Sequence, residues 1–317
     1  MEKEEQIVNL DLPAEKRWLF LVDYKDEINE LLQYYLNDFE EEDFEFKSIG
    51  IYKNEIISKE YLKEIEFVAS ISSFSADQVL IANLYYDVLK FCFGCTAFAV
   101  DTKNSIIHSR NLDWHTENNL LSQYSIIFDF QRNGQTVFKT VGWPGFIGAL
   151  SGTKPNSFSL TLNAVLSNDS PEIAFPISFL LRDVLDSSNS FEDAKEKLEQ
   201  TNIASDCLIL LSGIRSNEMV VIERTPKRFA TRESKNGFIT VTNDYKQLEN
   251  NQTEESVLQL TSCGRYDRTQ KLLKDKIPSN LDECFNILKD EKVMMEITVQ
   301  QMVFNNKTGE IKLIKTG

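Results

Sequence analysis

The sequence predicts an α+β fold in which helices cover antiparallel sheets. Its N-terminal part carries apolar residues at helical spacing, whereas the remainder consists mostly of short alternating segments. The order along the chain is helices, strands, paired helices, strands, helices and a final hairpin, which suits sheets layered with helices. No Gly- or Pro-rich linker interrupts this order, so we expect one compact domain.

Three helices are predicted in the N-terminal part. The first covers residues 23–38, where apolar residues recur three or four positions apart. The acidic run from Glu40 to Asp43 is expected to form a solvated loop. A second helix covers Lys59 to Ile71. A third begins after Ser75, a good N-cap residue, and is expected to continue to about Phe91.

Strands are predicted for most of the remaining chain. Residues 125–131 and 135–141 alternate on either side of Asn133-Gly134, a dipeptide typical of two-residue hairpin turns. The other predicted strands are 96–101, 105–110, 157–163, 207–212, 219–223, 238–243, 297–304 and 310–315, and the predicted helices among them are 173–186, 191–200, 265–275 and 281–290.

Acidic residues outnumber basic ones and concentrate near the N-terminus. The chain has 49 acidic and 34 basic residues, a net charge of −15. Residues 1–94 hold 21 acidic and 9 basic groups, whereas residues 95–317 hold 28 and 25. Charge density and structural pattern therefore change together at the 94/95 boundary. The acidic balance argues against nucleic acid as a partner and against electrostatic recruitment to anionic membranes.

The start of the chain has neither the basic region nor the apolar core of a secretory signal, and no apolar run reaches the roughly 20 residues of a membrane span. Five irregularly spaced cysteines then fit reduced thiols, and we expect a cytoplasmic protein. Two histidines, His108 and His115, leave little scope for a His-rich metal site or a Ser-His-Asp triad. We expect no metal, and His108 is expected to be a hydrogen-bonded core residue.

Cys92 and Cys95 form a C-x-x-C motif. A redox role requires such a motif at the start of a helix, where the helix dipole favours the thiolate, but here it follows a predicted helix and precedes a strand. A structural zinc site requires a second pair of ligands, and the other cysteines are isolated. Both roles are therefore disfavoured.

A second arrangement places charged residues near Cys95. In GCTAFAVDTKNSIIHSRNLDW (94–114), Cys95 opens a predicted strand, and Arg110 and Asp113 close the neighbouring one. The intervening turn can return both charges to the thiol, and a cation with a carboxylate beside a thiol is a setting that activates a nucleophile. A core cysteine with a surface Arg/Asp pair is the alternative that spacing alone leaves open.

The same stretch resembles acid ceramidase and N-acylethanolamine acid amidase, N-terminal-nucleophile hydrolases related to choloylglycine hydrolase. The resemblance rests on Cys95-Thr96, a following Asp, and His108-Ser109-Arg110-Asn111-Leu112-Asp113. It extends along most of the chain through VNLDLPAEKRW (8–18), SADQVLIANLYYDVLKF (75–91), FDFQRNGQTVF (128–138), FIGALSGTKPNSFSLTLN (146–163), SFEDAKEKLEQT (190–201) and VTNDY (241–245).

The resemblance implies self-processing between Gly94 and Cys95. It divides the chain into a helical small-subunit segment, 1–94, and a large-subunit segment, 95–317, and it implies an αββα four-layer sandwich. The new N-terminal Cys95 would supply the thiol nucleophile, and its α-amine, with an unperturbed pKa of roughly 7.7–8.0, would act as the base. No catalytic histidine and no cofactor are needed.

The resemblance also assigns roles to four further residues. Asp113 would accept a hydrogen bond from the α-amine, and Arg110 would stabilise the thiolate. The side-chain amide of Asn243 would donate to the oxyanion. A family arginine resembles Arg265, with Arg268 as the second choice. As alternatives, Asn243 could cap local backbone and Arg265 could form an ion pair at a helix start.

The sequence departs from the family pattern at the proposed substrate pocket. Asn163 is followed by Ala164 where the family often has a Glu, and the family's Asn-Tyr-Asp appears as Asn243-Asp244-Tyr245. The residues expected to line the pocket are Trp114, Trp143, Phe146, Phe158 and Asn163. Filling of the core is the alternative for the aromatic residues.

The resemblance implies hydrolysis of an amphiphilic N-acyl amide, either a ceramide or an N-acylethanolamine, through an acyl-thioester. The two fragments would remain together as a heterodimer, and weak membrane docking would bring the enzyme to its substrate. One alternative is a bile-salt or penicillin-type amide hydrolase of the same superfamily. The other is a non-catalytic lipid-binding relative, which the absence of the Glu at position 164 favours.

Overall fold

Two β-sheets face one another at the centre of the molecule. The computed structural model describes residues 5–41, 48–88, 93–249 and 257–316. Its strands are β1 (Glu5–Asn9), β2 (Phe93–Asp101), β3 (Ile106–Trp114), β4 (Ile126–Arg132), β5 (Gln135–Gly142), β6 (Ser151–Lys154), β7 (Phe158–Asn163), β8 (Cys207–Ser212), β9 (Met219–Arg224), β10 (Phe229–Glu233), β11 (Phe238–Val241), β12 (Thr298–Asn305) and β13 (Glu310–Lys315).

The sheets differ in size but are both almost entirely antiparallel. The larger has eight strands in the order β1-β4-β5-β6-β7-β8-β9-β10, and the smaller has five in the order β11-β2-β3-β12-β13. The exception is β1, which pairs with β4 in parallel.

The α-helices are α1 (Lys25–Glu41), α2 (Ile49–Ile51), α3 (Lys59–Ile71), α4 (Ala76–Asn83), α5 (Tyr85–Val88), α6 (Leu120–Gln123), α7 (Ile177–Ser187), α8 (Phe191–Gln200), α9 (Val257–Asp275) and α10 (Leu281–Leu288). Short 3-10 helices cover Ala14–Lys16, Leu19–Tyr24 and Glu117–Asn119, and a π-helical turn covers Tyr52–Ile56.

The elements stack in four layers. Helices α7 and α8 contact the eight-stranded sheet, and α9 and α10 contact the five-stranded sheet. Strand β2 shows why the sheets hold together, because its residues alternate between two apolar clusters. Ala97 and Ala99 face the other sheet in a cluster with Leu208 and Val221, whereas Phe98 and its neighbours face α9 and α10. The α+β fold and the αββα layering predicted for the chain are confirmed.

The N-terminal helices share the largest apolar cluster with the eight-stranded sheet and α7. Ser75 caps α4 as predicted, in a reciprocal capping box with Gln78. Within the described ranges no single helix is long and apolar enough to cross a membrane. Helices α3 and α4 meet both criteria only when taken together, and they are separated by a bend of 117°.

Two helix predictions and the predicted acidic loop need correction. The helix predicted from Ser75 to about Phe91 is broken, because Leu84 leaves helical geometry and separates α4 from α5. Residues 89–92, and with them Phe91 and Cys92, lie outside the described residues. The predicted acidic loop begins too early, since Glu40 and Glu41 belong to α1, and its remainder also lies outside the described residues. Helix α9 starts at Val257, so residue 265 is interior to it.

Most strand predictions agree with the structure to within a few residues. Three strands were not predicted, namely β1, β6 and β10. Strand β11 ends at Val241, so Asn243 follows the strand instead of lying within it. Strand β2 begins at Phe93, so Cys95 lies inside the strand and not at its start.

Candidate active site

Strand register places the predicted residues around Cys95. Cys95 pairs with Leu112 and Gly94 pairs with Asp113 across β2 and β3. Because side chains alternate along a strand, Arg110 lies on the same face as Leu112 and Cys95, diagonally opposite the thiol, while Asp113 lies on the other face. The two charges therefore approach the same cysteine from opposite sides of the sheet.

The Cys95 side chain is buried, with 1% of its surface exposed. The Arg110 Nη2 atom donates to Sγ over 3.2 Å, and Sγ itself lies 3.8 Å from the Leu162 carbonyl oxygen. The backbone of Cys95 is held too. Its N–H donates to Asn243 Oδ1 over 3.0 Å, and its carbonyl oxygen accepts from Arg265 Nη1 over 2.5 Å.

Arg110 is a buried cation fixed by oxygen atoms of the facing sheet. Its Nη1 atom donates to the Leu150 carbonyl over 3.1 Å and to the Ser151 hydroxyl. Its Nη2 atom donates to the Leu162 carbonyl as well as to the thiol. These oxygens are neutral, so they do not cancel the positive charge of the guanidinium, which lies directly beside the Cys95 sulfur.

Asp113 is fully buried beside the peptide that joins Gly94 to Cys95. Its Oδ1 atom accepts from Thr298 Oγ1 over 2.6 Å, and within the described part of the chain Oδ2 has no hydrogen-bond partner. A β-carbon added to Gly94 would lie 3.3 Å from that Oδ2, which shows how closely the carboxyl approaches this peptide. Burial raises the pKa of Asp113, although Arg265 opposes the effect.

The charge partner of Asp113 is Arg265, whose Nη1 atom lies 3.8 Å from Oδ2. Arg265 also donates to Asn243 Oδ1 over 2.7 Å and to Thr96 Oγ1 over 2.9 Å, and burial lowers the pKa of its guanidinium. The alternative of an ion pair at a helix start is wrong, because Arg265 is a buried residue in the middle of α9. Arg268, the second choice, pairs instead with Asp290 over 2.9 Å.

Asn243 uses both ends of its side-chain amide. Oδ1 accepts from Cys95 and Arg265, and Nδ2 donates to the Ala164 carbonyl over 2.8 Å. Its backbone N–H donates to Ser262 Oγ over 2.9 Å. The Nδ2 atom, which an oxyanion donor would use, thus already binds a carbonyl oxygen of the chain.

Most of the predicted pocket residues belong to, or pack against, the apolar cluster that contains Cys95. Trp114 and Trp143 belong to the same apolar cluster as Cys95, with their ring centroids 5.8 Å apart. Phe146 packs against Trp143 at 6.0 Å. Asn163 donates to the Thr242 carbonyl over 2.9 Å, and its Oδ1 atom has no hydrogen-bond partner among the described residues. Phe158 is a fully buried member of that cluster.

Several supporting residues were not predicted. Thr298, Ser262 and Thr96 hold Asp113, Asn243 and Arg265, and Ser151 holds Arg110. A register drawn between β3 and β12 would have indicated Thr298, because it pairs with Asp113. Thr96 directly follows Cys95 on β2, but its contact with Arg265 depends on the placement of α9. Ser151 and Ser262 come from elements distant in sequence from the residues they hold, and no local pattern marks them.

His108 is a core residue, as predicted. Its Nδ1 atom lies 2.8 Å from Ser212 Oγ and its Nε2 atom 2.8 Å from Thr161 Oγ1. Burial lowers the pKa of His108 to about 3. Within the described ranges no group of three or more His, Cys, Asp or Glu side chains could hold a metal ion.

The chain is similar to proteins of known activity. Human (Homo sapiens) acid ceramidase is 30% identical over 253 residues, which cover 69% of this chain and 63% of that protein. The chain thus matches less than two thirds of the length of this relative. A Caenorhabditis elegans N-acylethanolamine-hydrolyzing acid amidase ortholog has a similar structure, with a TM-score of 0.58 and 24% identity over 68% of this chain and 94% of that one.

Conjugated bile acid hydrolase from Clostridium perfringens has a TM-score of 0.50 at 15% identity, over 70% of this chain and 92% of that one. Both structural likenesses support the layered fold. The family model for acyl-coenzyme A:6-aminopenicillanic acid acyl-transferase matches residues 100–312. The chain therefore belongs to this family, and its resemblance to the group of acid ceramidase and N-acylethanolamine acid amidase is confirmed.

Proposed function

We propose that this protein hydrolyses the amide bond of N-acyl lipids, using Cys95 as an N-terminal nucleophile that the chain generates by cutting itself after Gly94. One observation carries the proposal. The thiol, the N–H and the carbonyl of Cys95 are bound by Arg110, Asn243 and Arg265 respectively. Burying a charged group costs free energy. Two buried arginines beside one cysteine are therefore not expected where the cysteine only fills the core.

The self-cleavage would proceed by an N-to-S acyl shift. The Cys95 sulfur attacks the Gly94 carbonyl carbon, the peptide C–N bond breaks, and the nitrogen takes up the thiol proton. Water then hydrolyses the thioester, leaving a carboxylate on Gly94 and a free α-amine on Cys95. Asp113, adjacent to this peptide, would hold the new amine as its hydrogen-bond acceptor.

Turnover would use the same atoms. The α-amine takes the thiol proton, the sulfur attacks the substrate carbonyl, and the proton passes to the departing amine nitrogen. Arg110 stabilises the sulfur anion, and Asn243 Nδ2 would exchange the Ala164 carbonyl for the substrate oxyanion. Water hydrolyses the acyl-thioester and releases the fatty acid. The relatives named above favour ceramides or N-acylethanolamines as substrates.

The mass of the purified protein tests the proposal. We expect two fragments, 1–94 and 95–317, and a single intact chain for Cys95→Ala. Cys92→Ala is the matched control, because it removes the other thiol of the motif and should leave both self-cleavage and amidase activity unchanged. A loss of both in the two variants alike would contradict the assignment of Cys95 as nucleophile.

A substrate panel identifies the amide. It should include a ceramide, an N-acylethanolamine, a conjugated bile salt and a penicillin, with quantification of the acid and of the amine released. Release of free fatty acid from either N-acyl lipid, absent in Cys95→Ala, is the expected result. Turnover restricted to the bile salt or to the penicillin would favour the alternative activities, and binding of lipids without turnover would favour a non-catalytic role.

A further inference from the structure

A buried glutamate, remote in sequence from the residues considered so far, holds the loop that follows Asn243. We propose that Glu223 is a positioning residue of the active site, which fixes the segment that carries Asn243. This inference rests on the proposed function, because it concerns the placement of the oxyanion donor.

Three consecutive backbone N–H groups converge on the Glu223 carboxylate. Oε1 accepts from Lys246 over 2.9 Å. Oε2 accepts from Gln247 over 2.8 Å and from Leu248 over 2.9 Å. The glutamate is fully buried, so water does not compete for these bonds. Arg232 Nε, 3.4 Å from Oε1, supplies a compensating positive charge. The carboxylate is therefore held by backbone donors on both of its oxygen atoms.

The register of the eight-stranded sheet explains why the hydrogen bonds of Glu223 affect the active site. Asn163 pairs with Leu208, and Leu208 pairs with Glu223. Directly paired residues point to the same face of a sheet, so Asn163 and Glu223 occupy one row and both face the five-stranded sheet. Asn163 binds the carbonyl of Thr242, the residue before Asn243, while Glu223 binds residues 246–248.

The two ends of this row therefore hold the segment on both sides of Asn243. Tyr245 adds a third anchor, because its hydroxyl donates to the Arg224 carbonyl over 2.7 Å. Since Asn243 follows β11 and is not part of a strand, no sheet hydrogen bonds fix it. Its backbone is held by these anchors and by Ser262, which accepts from its N–H, while its side chain binds Cys95, Arg265 and Ala164.

Glu223→Gln tests the proposal with little change in volume. The amide has one acceptor oxygen where the carboxylate has two, and its NH₂ group would face at least one N–H donor. A displacement of the Asn243 segment should lower kcat by about tenfold to 10²-fold, with a small change in KM. Rates are expressed per molecule of processed chain, counted by mass spectrometry.

Glu218→Gln is the matched control. Glu218 is also buried, and its Oε2 atom accepts from the N–H groups of Ile214 and Arg215, each over 2.9 Å. It holds the turn between β8 and β9, at the end of the sheet opposite the active site. Glu218→Gln should lower the melting temperature comparably but leave kcat unchanged. Equal losses of kcat in the two variants would overturn the proposal.

A double-mutant cycle separates positioning from general stability. If Glu223 acts through Asn243, its substitution should have little effect on kcat in an Asn243→Ala background. Multiplication of the two single effects would overturn the proposal. Tyr245→Phe, which keeps the packing of the ring, serves as a second variant if Glu223→Gln does not fold. It should lower kcat in the same way, by a smaller factor, and an unchanged kcat would count against the proposal.

Hydrogen exchange gives a readout that does not require activity. Glu223→Gln should accelerate exchange at the amides of residues 246–248, and Glu218→Gln should not. Slow exchange there in Glu223→Gln would overturn the proposal even if the wild-type protein is an amidase. Failure of the wild-type protein to hydrolyse any amide on the panel would instead refute the proposed function, whatever the exchange data.

Discussion

Asn243 Oδ1 accepts two hydrogen bonds at the centre of the site, and Nδ2 makes a third bond to Ala164. In the proposed function, Nδ2 would donate to the substrate oxyanion mainly in the transition state. We therefore expect Asn243→Ala to lower kcat by about 10²–10³-fold with little change in KM. Steady-state kinetics on a fluorogenic N-acyl amide, with thermal melts of the same samples, measure both effects.

Asn306→Ala is the control for this prediction. Asn306 is a buried asparagine at the other end of β7, where Nδ2 donates to the carbonyls of Ser212 over 2.8 Å and Gly213 over 2.7 Å. Its loss should reduce stability while turnover per folded molecule stays normal. If Asn243→Ala behaves in the same way, Asn243 is a structural cap and not an oxyanion donor.

His108 gives the protein an acid-sensitive stability. Its pKa is about 3 in the folded state, against 6.5 for the free side chain. Between pH 3 and pH 6.5, His108 is therefore protonated in the unfolded chain but neutral in the folded protein. Stability from this group is complete above pH 6.5, and it falls by about 1.4 kcal/mol per pH unit below that. Urea unfolding of the uncleaved Cys95→Ala chain from pH 7 to pH 4 measures the slope.

His108→Gln should remove that slope, because glutamine does not titrate and can still bond to one of the two hydroxyls. Asp113 contributes with the opposite sign, since a carboxyl whose pKa is raised on folding stabilises at low pH and loses this effect as the pH rises. The difference between the two chains isolates His108, because Asp113 is present in both. If the free energy of unfolding depends on pH in the same way for Cys95→Ala and for the double variant Cys95→Ala/His108→Gln, the assignment to His108 is wrong.

The predicted elements show what a sequence pattern can locate. Helices α3 (Lys59–Ile71) and α8 (Phe191–Gln200) coincide with the predicted ranges 59–71 and 191–200. In the structure each begins after a serine N-cap, Ser58 and Ser190 respectively. The break at Leu84 was missed, since the apolar residues of 75–91 continue without interruption. It reflects the tertiary contacts of the segment, in which Asn83 binds the Gly145 carbonyl.

The site residues also divide into those that a local sequence pattern brings together and those that depend on the tertiary structure. Cys95, Arg110 and Asp113 lie on paired strands, so their proximity follows from one hairpin. The pairing of Asp113 with Arg265 could not be predicted, because it depends on the placement of α9. The position of Arg110 on the other face of the sheet depends on the strand register. Strand β6, with the sequence SGTK, contains no large apolar residue, so no alternation of apolar and polar residues indicates it. Strand β11 is equally short but has the sequence FITV, and it was predicted.

Helices α3 and α7 are joined by a buried ion pair. Arg182 donates to Glu64 through Nη1 over 2.5 Å and through Nη2 over 2.9 Å, and its guanidinium lies 4.7 Å from the centre of the Tyr61 ring. Burial disfavours the cation, but Glu64, Tyr61 and Asp183 together outweigh this effect and raise the pKa of Arg182. The pair links the proposed small segment to the large one.

Glu64→Gln should destabilise the uncleaved Cys95→Ala chain by about 3–5 kcal/mol, because it leaves Arg182 buried without a counter-charge. Glu64→Leu combined with Arg182→Met should recover most of the loss. The exposed pair of Lys312 and Asp282, 2.9 Å apart, provides the control, and Asp282→Asn should cost less than about 1 kcal/mol. Urea unfolding measures each value, and equal losses for Glu64→Gln and Asp282→Asn would refute the prediction.

At the scale of the whole molecule, the two proposed fragments are interwoven. The small segment contributes β1 to the eight-stranded sheet, and Asp87 Oδ1 accepts from the N–H of Ile177, at the start of α7, over 3.2 Å. We expect the processed fragments to elute together from a sizing column in low salt and in 1 M NaCl, because the shared cluster is apolar and salt does not weaken it. Separation without denaturant would contradict this expectation.

If the chain is cut after Gly94 as proposed, the pairing of β1 with β4 changes the order of the folding reaction. The intact precursor folds as a single molecule, at a rate independent of concentration. After cleavage, the same strand pairing requires two chains to meet, so recovery from denaturation becomes bimolecular and slows on dilution. At low concentration the cut protein therefore cannot readily regenerate itself once its fragments part, and its working lifetime is set by the rate at which the native pair first unfolds.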